Sequence, residues 1–102
     1  MDFRVAWSPE AIEDVESIAA YISRDSGRYA LAVVDKIIDV SRDLRSSPYA
    51  GRMVPEFEDK SIRERIVYSY RLIYRIKGNI ITIAAVVHGK RSLDTFIERV
   101  KD

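Results

Sequence analysis

Cysteine is absent from this sequence, histidine occurs once, and glycine and proline are scarce, with four and three residues among 102. The absence of cysteine excludes disulfides and thiol chemistry, and it makes a reducing cytoplasm the default expectation. One histidine without cysteine is too little for a zinc site, and the few glycines form neither a P-loop nor a dinucleotide-binding pattern. We therefore expect no metal and no cofactor.

Long apolar runs are missing as well. No stretch approaches the roughly 20 apolar residues of a membrane-spanning helix. The start of the chain, residues 1–7, lacks the apolar core of a signal peptide. The sequence therefore predicts a protein that does not engage a membrane.

Neither sign of charge is in large excess, because 17 basic and 16 acidic residues leave a formal net charge of +1. The total charge therefore does not indicate a nucleic-acid-binding protein. The distribution is uneven, however. Acidic residues are concentrated at positions 10–16 and 56–59, whereas the charged residues within 62–91 are mostly basic. A near-neutral total can conceal a basic face.

The composition predicts one domain over residues 1–102, since 47% of the residues are hydrophobic and can form a modest core. Alternating apolar residues at 3–7 indicate a strand. Ser8 and Pro9 are a favourable N-cap and first helical residue, and apolar residues then recur at helical spacing to about residue 25. A second amphipathic helix over about 28–47 completes a helical hairpin.

The second half of the chain predicts a loop, three strands and a terminal helix. Pro48–Ser61 contains the breakers of a long loop. The strands are Ile62–Ser69, Tyr70–Lys77 and Ile80–Val87, and the last of them is apolar on both faces, as expected of a central strand. Ser92–Val100 is a short amphipathic helix that either docks on the domain or is covered by a partner.

Alternation along Tyr70–Lys77 separates an apolar face from a cationic one that carries Arg71, Arg75 and Lys77. This pattern suits a sheet covered by helices on one side only. The sequence thus predicts an α+β fold: a small antiparallel four-stranded sheet packed by the N-terminal helical hairpin, in the order β-α-α-β-β-β plus a short C-terminal helix. We expect Tyr68, Tyr70 and Tyr74 in the core. The strand order is not determined by the sequence.

With this layout, the segments Arg63-Glu64, Tyr70–Ile76 and Val87–Arg91 resemble the RelE/ParE superfamily of bacterial toxins. The resemblance extends over nearly the whole chain, from Trp7 through the Gly51-Arg52 loop to Arg91. It implies the toxin half of a type II toxin–antitoxin system, with plasmid stabilisation as the associated role. It also implies a cytoplasmic protein that a cognate antitoxin neutralises.

Two mechanisms compete within this superfamily. RelE-like members cut messenger RNA on the ribosome. Arg71 and Arg91 match arginines that those enzymes use, and Arg63 and Arg65 fall near their strand lysines. The position of the RelE tyrosine falls on Ile97, next to Phe96, and neither side chain can exchange a proton. The resemblance therefore favours the ParE-like branch, with DNA gyrase as target, and leaves a ribosome-dependent endoribonuclease as the alternative.

RNA cleavage needs a base, an acid and cations beside the phosphate. His88 is the only side chain whose ordinary pKa is near neutrality, so the catalytic candidates are Arg63, Arg71, His88 and Arg91 if the chain is RelE-like. Glu64 and Tyr68 are weaker candidates for the base. A structural role for His88 at the strand end is the competing interpretation.

For a protein-binding mechanism, the candidate contact residues are Arg71, Arg75, Lys90, Arg91, Phe96 and Ile97. The competing interpretation of the arginines is a solvated sheet face kept soluble by charge. Arg63 could instead pair with its neighbour Glu64. A third possibility is a protein of this fold that has lost toxicity and serves only as a binding partner.

Overall fold

The computed structural model describes residues 2–101, and the side chains of residues 2–100. The predicted domain of residues 1–102 therefore extends one residue beyond the described part at each end. In chain order the elements are β1 (Arg4–Trp7), α1 (Pro9–Ser23), α2 (Gly27–Asp43), β2 (Arg52–Met53), β3 (Ile62–Val67), β4 (Tyr70–Lys77), β5 (Ile80–His88), a 3-10 turn (Asp94–Phe96) and α3 (Ile97–Lys101).

Side-chain caps define the helical hairpin. The Ser8 hydroxyl accepts a hydrogen bond from the Ala11 amide at 3.1 Å, with Pro9 in the first turn, as predicted. The Ser26 hydroxyl accepts one from the Tyr29 amide at 3.1 Å and begins α2. These local bonds satisfy amides that have no partner within the helix. No helix within residues 2–101 is long and apolar enough to cross a membrane.

The sheet has the strand order β1-β5-β4-β3-β2. β1 runs parallel to β5, and the other neighbours are antiparallel. The predicted α+β class with its helical hairpin is confirmed, but the sheet is five-stranded and mixed rather than four-stranded and antiparallel. The extra strand is the Arg52–Met53 pair, which lies inside the predicted loop and pairs with β3.

Apolar side chains form a core on each face of the sheet. The helical hairpin covers one face, where Val33, Ile37 and Tyr74 are fully buried. The loop before β3 and the C-terminal segment cover part of the other face; its buried residues include Val54, Phe57, Ile73, Leu93, Phe96 and Val100. The expectation of a solvated cationic face on β4 is therefore wrong at Arg71, which is only 6% exposed.

The three tyrosines near β4 differ in burial. Tyr74 is fully buried and Tyr70 packs partly against the helix-side core, as expected. Tyr68 is 54% exposed, so its predicted place in the core is wrong. The reason is local: β3 ends at Val67, and Tyr68 adopts a φ of 54° in the turn that follows. Strand alternation no longer applies there.

Candidate functional site

Arg71 lies at the centre of a charged group that we call the Arg71 cluster, formed by Arg52, Glu56, Glu64 and Arg71. The Arg71 Nε donates to Glu64 Oε1 at 2.6 Å, and the Arg71 Nη1 and Nη2 donate to the two carboxylate oxygens of Glu56, each at 2.9 Å. Arg52 Nε donates to the other Glu64 oxygen at 2.5 Å. The Glu64 carboxylate is fully buried, so its two arginine partners are what keep it satisfied.

Hydrogen bonding within this cluster stabilises the charged forms of its members. The bonds from Arg71 lower the pKa of the Glu56 carboxyl, against the opposing effect of burial. The bonds to Glu56 and Glu64 likewise raise the pKa of the Arg71 guanidinium. Two arginines and two carboxylates sum to zero charge. Arg71 therefore has its counter-charges already in place, and it lies where an approaching phosphate would also meet two carboxylates.

A second set of bonds fixes the beginning of the loop. The buried Tyr74 hydroxyl donates to the Pro48 carbonyl at 2.8 Å and accepts from the Gly51 amide at 3.0 Å. Arg63 donates to the Gly51 carbonyl at 3.0 Å, and its guanidinium lies 4.9 Å from the centre of the Tyr49 ring. Burial raises the pKa of Tyr74. Arg63 thus holds the loop, and the alternative pairing with Glu64 is not what the structure shows.

His88 and Arg91 line a groove of about 360 Å³ between α1 and the end of β5, together with Tyr21 and Tyr70; we call it the β5-end groove. The Tyr70 and His88 rings meet edge to face, with centroids 5.8 Å apart. The Lys90 amide donates to His88 Nδ1 at 3.2 Å. Tyr21 is 68% exposed, so the groove presents aromatic surface beside a cation.

The C-terminal segment docks on the domain. Asp14 of α1 accepts two hydrogen bonds from Arg99, at 2.9 and 3.2 Å, and one from the Val86 amide at 3.0 Å. Two guanidiniums approach the buried Phe96 ring, that of Arg91 at 5.0 Å and that of Arg99 at 4.7 Å from its centre. Of the two possibilities left by the sequence for this helix, the structure shows docking.

The structure separates the four catalytic candidates. Directly opposed strand residues point to the same face, and Arg71 opposes Val87 whereas Tyr70 opposes His88. Arg71 and His88 therefore lie on opposite faces of the sheet. Only His88 and Arg91 line a common groove, while Arg63 belongs to the loop contacts with Gly51.

The six candidate contact residues also differ in accessibility. Lys90 and Arg91 are exposed, Arg75 is half-buried, and Ile97 is 39% exposed. Arg71 and Phe96 are buried. The accessible members near the β5-end groove are thus Lys90 and Arg91.

Sequence reasoning missed the roles of Glu56 and Asp14. Both lie in the acidic stretches that were interpreted only as charge distribution, and each pairs with an arginine far along the chain. Glu64 carried a usable signal, since alternation in β3 places it with Ile62 on a buried face. An acidic residue at such a position needs a cationic partner. Within residues 2–101, no three possible metal ligands come together.

Residues 5–93 match the family model described as the ParE toxin of the type II toxin–antitoxin system parDE. Comparison with curated proteins gave no match.

Several solved structures share the fold. The chromosomal ParDE system from P. aeruginosa is similar at 21% identity and a TM-score of 0.72, covering 84% of this chain and 95% of that one. The RelBE2 toxin–antitoxin complex from Mycobacterium tuberculosis gives 20% identity and a TM-score of 0.60, covering 86% and 99%. The YoeB dimer from Staphylococcus aureus is similar at 18% identity and a TM-score of 0.58, covering 86% of this chain and 98% of that one. At these identities the likeness shows the fold.

Proposed function

The chain belongs to the ParE toxin family of type II toxin–antitoxin systems, and we propose that it acts by binding and inhibiting DNA gyrase rather than by cutting messenger RNA. In this proposal it works in the cytoplasm, and a cognate antitoxin neutralises it by covering part of its surface. The solved ParDE, RelBE2 and YoeB–YefM assemblies, which share the fold, are toxin–antitoxin systems and support an antitoxin partner.

The observation that carries the proposal is the pairing of Arg71 with the carboxylates of Glu56 and Glu64. A catalytic arginine at a scissile phosphate must offer free donors and uncompensated positive charge to the developing phosphorane. Here all three guanidinium nitrogens donate to Glu56 or Glu64. Recruiting Arg71 for catalysis would strip a buried carboxylate of a partner, which is costly in a low-dielectric interior. Arg71 therefore stabilises the fold and does not contact substrate.

The arrangement of the other candidates agrees with this conclusion. His88 and Arg91 share one groove, but Arg71, the arginine expected at the scissile phosphate, lies on the opposite face of the sheet from His88. By the resemblance given above, the position of the RelE tyrosine falls on Ile97. A catalyst of that type would therefore lack the tyrosine and would have Arg71 already paired with carboxylates.

A binding function needs an accessible surface, and the β5-end groove offers one. Its lining includes the exposed Tyr21 ring, the Tyr70–His88 pair and the exposed Arg91, and the exposed Lys90 precedes Arg91 in the chain. Aromatic side chains and arginine are the residue types that most often dominate protein–protein contacts. We assign this surface as the site of target contact.

The test compares the double variant K90E/R91E with the control K36E, which changes the charge of an exposed lysine on α2 that does not line the groove. We expect the groove variant to need at least about tenfold more toxin for half-inhibition of gyrase supercoiling, and the control to behave as the parent. Circular dichroism establishes that both variants are folded. Equal inhibition by K90E/R91E and the parent contradicts the assignment of the site.

A further inference from the structure

The first strand has one side without a partner. β1 pairs with β5 only, and within the described part of the chain no strand lies on its other side. In a parallel pair, alternate residues direct both their amide and carbonyl towards the same neighbour. The Arg4 and Ser8 amides donate to the Asn79 and Ile83 carbonyls of the β5 side. Alternation along the strand therefore directs the backbone groups of Phe3, Val5 and Trp7 to the open edge.

A cleft runs along this open edge, between β1 and the last turns of α2. It has a volume of about 550 Å³, and we call it the β1 cleft. Val5, Trp7 and Ile38 line its apolar part, and all three are half-buried, so their apolar surface is not yet fully covered. Such an edge, with unpaired backbone groups and an adjoining apolar floor, is the geometry in which proteins accept an added strand.

The cleft is also cationic. Arg4, Arg42 and Arg45 line it, all three are exposed, and none of them takes part in an ion pair within residues 2–100. The acidic residue Asp2 lines the adjoining cleft of about 210 Å³ together with Arg42 and Arg45. The three unpaired arginines contrast with Arg71 and Arg99, which form ion pairs with carboxylates.

We infer that an extended, acidic segment of the antitoxin adds to the sheet beside β1, with its backbone on Phe3, Val5 and Trp7 and its carboxylates on Arg42 and Arg45. The inference rests on the proposed neutralisation by an antitoxin and names the surface that the antitoxin uses. β-strand addition supplies the affinity through main-chain hydrogen bonds, while the arginines select the charge of the segment.

The positive charge of the β1 cleft disfavours binding of a second copy of this chain at the same edge. Pairing two β1 edges would bring two sets of three unpaired arginines together, and like charges opposed across an interface weaken it. A nucleic acid would satisfy the arginines but could not pair with the row of backbone amides and carbonyls. A polypeptide with acidic side chains satisfies both.

The test measures amide hydrogen exchange by NMR on the toxin alone and on the full toxin–antitoxin complex, purified after co-expression with its own antitoxin. In the free toxin, the amides of Phe3, Val5 and Trp7 should exchange faster than those of Arg4 and Ser8, which already donate to the Asn79 and Ile83 carbonyls. In the complex, the first three should slow by at least about tenfold, because each gains a hydrogen-bond acceptor.

Charge variants give an independent readout. The double variant R42E/R45E should bind the antitoxin at least about tenfold more weakly than the parent. The matched control R28E/K36E makes the same change of charge on the same helix, away from the cleft, and should bind within about twofold of the parent. Both variants replace exposed residues without ion pairs, so both should fold.

The outcomes are distinguishable. If a complex forms but the amides of Phe3, Val5 and Trp7 exchange as fast as in the free toxin, strand addition is refuted. The proposal that an antitoxin neutralises the toxin is not affected by that result. Protection of the same three amides in the free toxin at high concentration, accompanied by dimerisation, would assign the edge to a second copy instead. A toxin that forms no complex contradicts the proposed function, and this inference with it.

Discussion

Replacing Arg71 with alanine should destabilise the fold severely. Arg71 is 6% exposed and donates to the buried Glu64 carboxylate and to Glu56. Its removal leaves Glu64 with Arg52 as its only cation, at the exposed edge of the cluster. Removing one partner of a buried ion pair typically costs about 3–5 kcal/mol, which is a large part of the stability of a small domain.

Urea denaturation followed by circular dichroism measures this cost. With a slope of about 1.5 kcal/mol per molar urea, the R71A midpoint should fall by about 2–3 M. The control R52A removes the exposed partner only, while Arg71 continues to satisfy Glu64. Because the Glu64 carboxylate is buried but Arg52 lies at the surface, where water can replace it, we expect R52A to lose about 1–2 kcal/mol, less than R71A.

A double variant separates the pairing from the volume of the side chains. R71L/E64L removes both buried charges, leaves the exposed Arg52 and Glu56 to be hydrated, and should be more stable than R71A, because no uncompensated carboxylate is left in the interior. An R71A protein within about 1 kcal/mol of the parent would refute the reasoning, since Arg71 would then be free to act elsewhere.

Three further predictions concern the loop, the Arg71 cluster and the C-terminal segment. Gly51→Ala should cost about 2 kcal/mol in urea denaturation, since an added Cβ would lie 2.5 Å from the Glu64 carbonyl oxygen and 2.6 Å from the Tyr74 hydroxyl; an unchanged midpoint would contradict this. The pKa of Glu56 is lowered from 4.5 in the folded chain, so its contribution is present above pH 4.5 and is lost as the pH falls through the folded value. Relative to the parent, E56Q should therefore be less stable at pH 7 and lose less stability on acidification; parallel pH profiles would contradict this. Asp14→Asn should speed amide exchange in residues 92–101 by at least about fivefold, because it removes the ion pair with Arg99, and the exposed control Glu13→Gln should not; equal exchange in D14N and the parent would contradict the docking role.

The elements that depend on local sequence were predictable. Ser8 and Ser26 cap their helices with their own hydroxyls, within three residues of the amides they satisfy. The antiparallel strands β3 to β5 follow one another through short turns, and their apolar periodicity places Leu72, Ile81 and Ile83 in the core. These features need no knowledge of distant parts of the chain.

What the sequence did not reveal depends on contacts between distant segments. β2 has two residues, too few for any periodicity, and it forms only because β3 offers an edge. From the sequence alone, Arg71 is predicted to be a solvated cation, because its partner Glu56 is 15 residues away in a loop without a regular pattern. Alternation fixes the face on which a side chain lies, but it does not say which loop folds over that face.

The central claim is that this family member binds gyrase and does not cut RNA. The measurement that tests it most directly runs two assays on the same purified toxin, with and without antitoxin: DNA supercoiling by gyrase, and the integrity of mRNA on translating ribosomes. Our account predicts that supercoiling falls, that mRNA stays intact, and that antitoxin restores supercoiling. Codon-positioned cuts in mRNA together with normal supercoiling would contradict it.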